Sequence, residues 1–92
     1  ARLWNSPALA DVLTMRCQQI LRHGHTPAAD DALPLQTLPM LAAAQLHGAI
    51  EHAQFNKPGN ARKYLVRAIA LGLAALERID RQVAAETEQD RP

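Results

Sequence analysis

The stretch "RHGHTPAADD", Arg22 to Asp31, gathers His23, His25, Asp30 and Asp31 around Gly24 and Pro27. Imidazoles and carboxylates bind metals and move protons, so the stretch poses a choice between a site and a turn. Its spacing matches none of the usual zinc patterns. The adjacent carboxylates of Asp30 and Asp31 suit Mg²⁺ better, an ion that takes one or two carboxylates plus water and phosphate oxygens. The competing reading is structural: His23 answers the dipole at a helix C-terminus, while Thr26-Pro27 and the aspartates build a turn.

Three further groupings carry chemistry. In "ERID", Glu77 and Asp80 share one face of a helix and form a workable half-site for Mg²⁺, although Glu77 also has Arg81 one turn on as a surface partner. Lys57, Arg62, Lys63 and Arg67 crowd the start of the last helix, where cations oppose the dipole. A phosphate bound there would reconcile them, drawn by both the N–H groups and the cations; a solvated basic turn is the alternative. His47, Glu51 and His52 offer one carboxylate and one imidazole to a site, or the exposed edge of an amphipathic helix. Cys17 keeps an apolar stripe and has no activating base, so it reads as a small core residue. With no G-x-S-x-G, P-loop or H-E-x-x-H pattern, those nucleophilic, phosphate-loop and zinc classes are set aside.

Helices must position these groups. Ser6-Pro7 is a cap followed by a proline at the first helical position, Leu9, Val12, Leu13, Cys17, Ile20 and Leu21 follow at helical spacing, and Gly24 ends the run. The first helix therefore spans about 7–22. A second, about 38–55, is capped by Thr37 and ends at the turn signal "NKPGN". A third, about 61–86, is capped by Asn60. Its Leu65, Ile69, Gly72, Leu76, Ile79 and Val83 form a 4-3-4-3-4 seam, the pattern of left-handed helix packing. Gly72 within that seam predicts a close approach by a neighbouring helix. The polar tail, 87–92, is expected to fray.

Composition agrees with an all-α fold. With 48% hydrophobic residues but one Trp, one Tyr and one Phe, the core must come from Leu, Ile, Val and Ala. The 92 residues make a single domain too small to cover its own apolar surface well, so a three-helix antiparallel bundle completed by dimerisation is expected. A net charge of +1 gives no strong nucleic-acid signal. No run reaches the roughly 18 apolar residues of a membrane span. The N-terminal stretch has no signal-peptide core. Together with the lone cysteine, that predicts a cytoplasmic protein.

Two stretches together resemble the phage-type dATP/dGTP pyrophosphohydrolase family, a branch of the MazG-like all-α enzymes. "ARKYLVRAIALGLAALERIDR" is similar to the family's C-terminal helix, "dLvkAgALilAEiERldR", through Leu65, Val66, Arg67, Ala68, Ala70, Leu71, Leu73, Ala74, Glu77, Arg78, Asp80 and Arg81. "GHTPAADD" and the Ala-rich helix after it resemble "GWTPEHDD" and its "ELA-AAA" continuation, through Gly24, Thr26, Pro27, Asp30, Asp31, Leu38, Ala42 and Ala43. The likeness covers about Leu13 to Arg81. It implies Mg²⁺ held by helix carboxylates and a triphosphate cleaved to monophosphate and pyrophosphate. Glu77 and Asp80 would be ligands, with Asp30 or Asp31 near the substrate and Arg62, Lys63 or Arg67 on the phosphates.

The departures fall on the acidic positions. Met15, Thr37 and Ala75 stand where the family pattern has carboxylates, Ala28-Ala29 replaces its "EH", and His25 replaces its tryptophan. A site thinned of carboxylates should bind metal poorly. Two functions follow as expectations. The first is a non-catalytic nucleotide-binding or protein-interaction module of phage or prophage type. The alternative is a Mg²⁺-dependent pyrophosphohydrolase whose Asp30, Asp31, Glu51, Glu77 and Asp80 build an altered site.

Overall fold

The computed structural model describes residues 5–89. Their regular structure is helical, with no strand among the described residues: α1 Pro7–His23, α2 Pro27–Asp31, α3 Thr37–Gln54 and α4 Pro58–Gln89.

The caps of α1 form as the sequence predicts. Ser6 Oγ accepts from the Leu9 N–H at 3.1 Å, and Gly24 closes the helix at φ 72°, a left-handed value that a side chain would disfavour. The same cap-then-proline grammar at once restarts the chain: Thr26 Oγ1 accepts from the Ala29 N–H at 3.1 Å, and Pro27 opens the short helix α2 where a turn was expected. Two other boundaries move. Thr37 is the first residue of α3 rather than its cap, and Gln36 ahead of it makes no side-chain cap bond. α4 starts at Pro58 instead of after Asn60, and it carries the predicted tail onward as helix to Gln89; positions 90–92 of that tail lie outside the described residues.

α4 is the spine. α3 packs along it most extensively, α1 less and α2 least, while α1 and α3 hardly touch. α3 returns along α4 through the tight turn Phe55–Lys57, in which Asn56 takes a positive φ of 55°. The result is a bundle-like arrangement of three long helices and a short one, more open than a closed three-helix bundle. Its apolar core is small: Leu38, 1% exposed, meets Leu71, Ala74 and Ala75, with Leu33 and Ala42 packed against them.

The seam expected to form the core of α4 faces outward. Leu65, Ile69, Leu76 and Val83 are exposed, and α4 buries Ala68, Ala70, Leu71, Ala74 and Ala75 instead. Both faces repeat at helical spacing; the alanine face wins because small side chains let α3 approach closely. Nothing lies within 4 Å of a Cβ built on Gly72, so the close approach predicted there does not occur. It occurs at Gly48, whose added Cβ would sit 2.7 Å from Tyr64 Cδ1. α1 is rotated in the same sense. It turns Val12, Arg16 and Gln19 inward and leaves Leu13, Leu21 and Cys17 exposed, so Cys17 is a surface thiol and not a core residue. Arg16 and Gln19 go inward because α4, α2 and the segment between α1 and α2 supply their partners. No described helix is long and apolar enough to cross a membrane.

Candidate functional site

The first assembly lies where α2 meets α1 and α4. Arg16, 6% exposed, sends Nε to Glu77 Oε1 at 3.3 Å and NH1 to the His25 carbonyl at 3.1 Å. Its NH2 lies 3.5 Å from Asp30 Oδ2. Asp30 is wholly buried, and His25 Nδ1 approaches its other oxygen at 3.6 Å, an ion pair only when the imidazole is protonated. Both distances exceed the roughly 2.7–2.9 Å of a tight charge-assisted hydrogen bond, and neither Asp30 oxygen has a hydrogen-bonding partner. The Arg16–Asp30 contact is an ion pair without a hydrogen bond.

Asp31 points outward to a different guanidinium. Arg81 Nε and NH2 reach its Oδ1 at 3.0 and 2.8 Å. That hydrogen bonding, with the charges of Arg81 and Arg78 beside it, holds the Asp31 carboxyl below its ordinary value and raises Arg81 in turn. Arg78 donates to the Leu33 carbonyl at 3.3 Å and so straps the segment after α2 to α4.

The acidic residues singled out from the sequence thus divide. Asp30 and Glu77 meet, but through Arg16; Asp31 is taken by Arg81; Asp80 is exposed. The surface pairing of Glu77 with Arg81 gives way to a cross-helix contact with Arg16. Among the described residues no three His, Cys, Asp or Glu side chains converge as a metal-holding group. These residues do not fit Mg²⁺, because the space between Asp30 and Glu77 is filled by a buried guanidinium. A small ion demanding near-octahedral oxygen ligands would have to displace it.

The second assembly is a trough between α1 and α4. Arg62, Lys63 and Arg67 form its α4 wall and face Asp11, Thr14 and Met15 across an open cleft of about 380 Å³. Arg62 is tied to Asp11 at 2.7 Å, and Arg67 lies 5.3 Å above the Tyr64 ring. Lys63 makes no ion pair among the described residues. Past Met15 and Arg67 the trough runs into a hollow of about 300 Å³ lined by Gln19, His23, His25 and Gln45. Gln19 Nε2 donates to the Arg67 carbonyl at 3.4 Å, which leaves its Oε1 buried without a donor, and Gln45 Oε1 is in the same state. Of the remaining sequence candidates, His47 and Glu51 are exposed, whereas His52 stacks on Tyr64 with ring centroids 5.0 Å apart. Lys57 is exposed in the α3–α4 turn.

Arg16, Gln19 and Gln45 were missed by sequence reasoning. Arg16 and Gln19 stand four and seven positions after Val12, on one helical face, and that register was the available signal. No protein-family profile, curated protein or solved structure matches the chain.

Proposed function

We propose that this chain is a non-catalytic helical module that binds a nucleotide through its phosphates in the α1–α4 trough, and that it works as a homodimer in the cytoplasm. The observation that carries the reading is a division of charge. The cations Lys63 and Arg67 line an open cleft without carboxylate partners among the described residues, while Asp30, Asp31 and Glu77 are held by arginines. Phosphate oxygens recruit unpaired cations of this kind. The resemblance to MazG-like pyrophosphohydrolases supports a nucleotide as the ligand and a phage or prophage origin, and the substitutions at Met15, Thr37 and Ala75 support binding without turnover.

The dimer rests on area. The chain exposes 6635 Å², whereas a folded 10.1 kDa monomer exposes about 5,300 Å² by size scaling. Part of the difference is the end of α4 that projects past its neighbours. On α3 and α4, Leu46, Ile50, Leu65 and Ile69 are exposed together beside an apolar groove. A standard interface takes about 800 Å² from each partner.

Calorimetry of dATP and dGTP with and without Mg²⁺, followed by a pyrophosphate assay on the same samples, tests the ligand. Binding in both conditions without pyrophosphate supports the module. Magnesium-dependent binding with pyrophosphate release would replace it with the hydrolase alternative, and an absence of heat would redirect the search to protein partners. Sedimentation equilibrium decides the dimer, which a monomer at tens of micromolar would refute.

A further inference from the structure

α4 carries two apolar faces, and only the alanine face is covered. The other, Leu65, Ile69, Gly72, Leu76, Ile79 and Val83, keeps the alternating spacing that packs one helix along another. Its first half borders the α3–α4 groove, where Leu65, Ile69 and Gly72 face Leu46 and Ile50 around hollows of about 550 and 410 Å³. Its second half continues beyond Ala75, which α3 meets near its start, and leaves Leu76 and Val83 exposed. α2 does not cover this half, because the ties around it run to Arg78 and Arg81, which stand off the seam. The same spacing, carried one step outward at each end, reaches Arg62 and Glu86, two exposed side chains of opposite charge.

We propose that the occupant of the α3–α4 groove is the α4 seam of a second copy, running antiparallel about Ala74. The inference rests on the homodimer reading above and gives it a direction and a register. In this alignment Leu65 faces Val83, Ile69 faces Ile79, and Leu76 stands over Gly72, where nothing lies within 4 Å of an added Cβ. Glycine is unfavourable inside a helix; here it provides the hole into which the opposing leucine fits. Arg62 faces Glu86 at both ends of the contact. A parallel pair would instead set Arg62 against Arg62 and Glu86 against Glu86, so charge selects the direction. Arg62 also lines the trough between α1 and α4. Each copy therefore brings a carboxylate to the other's trough wall, and Lys63 and Arg67 are the cations left for a phosphate.

The test measures distances between nitroxide labels by pulsed electron paramagnetic resonance, in a Cys17→Ser background because that thiol is exposed. Asp80→Cys and Thr87→Cys put the label at two exposed positions on one side of the seam. Along antiparallel helices the separation of a pair grows by about 3 Å for each residue from the centre, so the Thr87 pair should lie roughly 20 Å farther apart than the Asp80 pair. Glu86→Arg is the second variant. It turns two attractive contacts per dimer into repulsive ones and should weaken association roughly tenfold at low salt, read by sedimentation equilibrium. Equal separations for the two labels overturn the antiparallel alignment and leave the dimer standing. So does a Glu86→Arg chain that associates as tightly as the wild type, since a parallel pair would exchange one like-charge contact for another. A monomer in sedimentation removes the homodimer reading and this inference together, and leaves the groove to a different protein.

Discussion

Gly48 on α3 and Tyr64 on α4 meet with no room for a side chain between them, since a Cβ on Gly48 would fall 2.7 Å from Cδ1 and 2.9 Å from Cε1 of the ring. The ring cannot retreat freely, because His52 stacks against it. Gly48→Ala therefore sets two effects against each other. Helix propensity gains about 1 kcal/mol, and overpacking costs roughly 1–3 kcal/mol. The expected net is a loss of about 1 kcal/mol, visible as a lower urea midpoint with an unchanged slope. A gain in stability would mean that the ring moves without resistance.

Gly72 gives the opposite sign in the monomer. Open space surrounds its added Cβ, so Gly72→Ala should stabilise the isolated chain by about 1 kcal/mol through propensity alone. In a dimer assembled on the α3–α4 groove, the same methyl group would stand at the interface. Stability measured at low protein concentration should rise while the association constant falls. A rise in both would place the partner elsewhere.

Arg16 and Asp30 should show strong non-additivity. Arg16→Met leaves a buried carboxylate without its cation, a change that typically costs about 3–5 kcal/mol. Adding Asp30→Asn removes the stranded charge, so the double variant should be more stable than Arg16→Met alone. A chemical-denaturation cycle measures this directly. Additive losses would show that the two side chains do not sense each other.

The Asp31–Arg81 pair dictates behaviour in acid. Asp31 titrates lower in the folded chain than the about 3.9 of an unfolded aspartate. Its contribution is thus complete above that unfolded value and disappears as pH falls through the folded one. Arg81 is raised and stays charged throughout this range, so the pair adds no pH dependence near neutrality. Between pH 6 and 2 the wild-type urea midpoint should fall slightly more steeply than that of Asp31→Asn. Salt should narrow the difference, as the pair is exposed. Parallel curves would deny the pair any role.

What could be read from the sequence was punctuation. Ser6-Pro7 and Gly24 act locally, through one cap bond and one backbone angle, and the structure has them where the residues predict. Thr26-Pro27 obeys the same rule but was read as a turn, because five residues are too few to show helical periodicity. The inward faces were harder to see. On α4 the Leu65–Val83 seam and the Ala68–Ala75 face have equal claims by spacing, and only the shape of α3 decides between them. Arg16 and Gln19 occupy an inward register that a hydrophobicity count rejects, since their partners, Glu77 and the Arg67 carbonyl, are remote in sequence. For the same reason the cluster's acidic residues were legible as types but not as arginine partners. The Arg62, Lys63 and Arg67 wall was legible throughout, because closely spaced cations on one helix need no tertiary information.

The unequal attachment of the helices to α4 also sets a hierarchy of motion. α3 is joined by a tight turn and the Leu38–Leu71–Ala74–Ala75 core, whereas α1 is held by the buried Val12 and by polar ties from Asp11, Arg16 and Gln19. Such ties contribute on the order of 1 kcal/mol net each, so of the two long helices packed on α4, α1 opens before α3. Its amides should exchange with deuterium well before those of α3 and the middle of α4. Each opening also separates the two walls of the trough, so the entry of a ligand is paced by the undocking of one helix, and a ligand bridging both walls would slow the exchange of α1 above all.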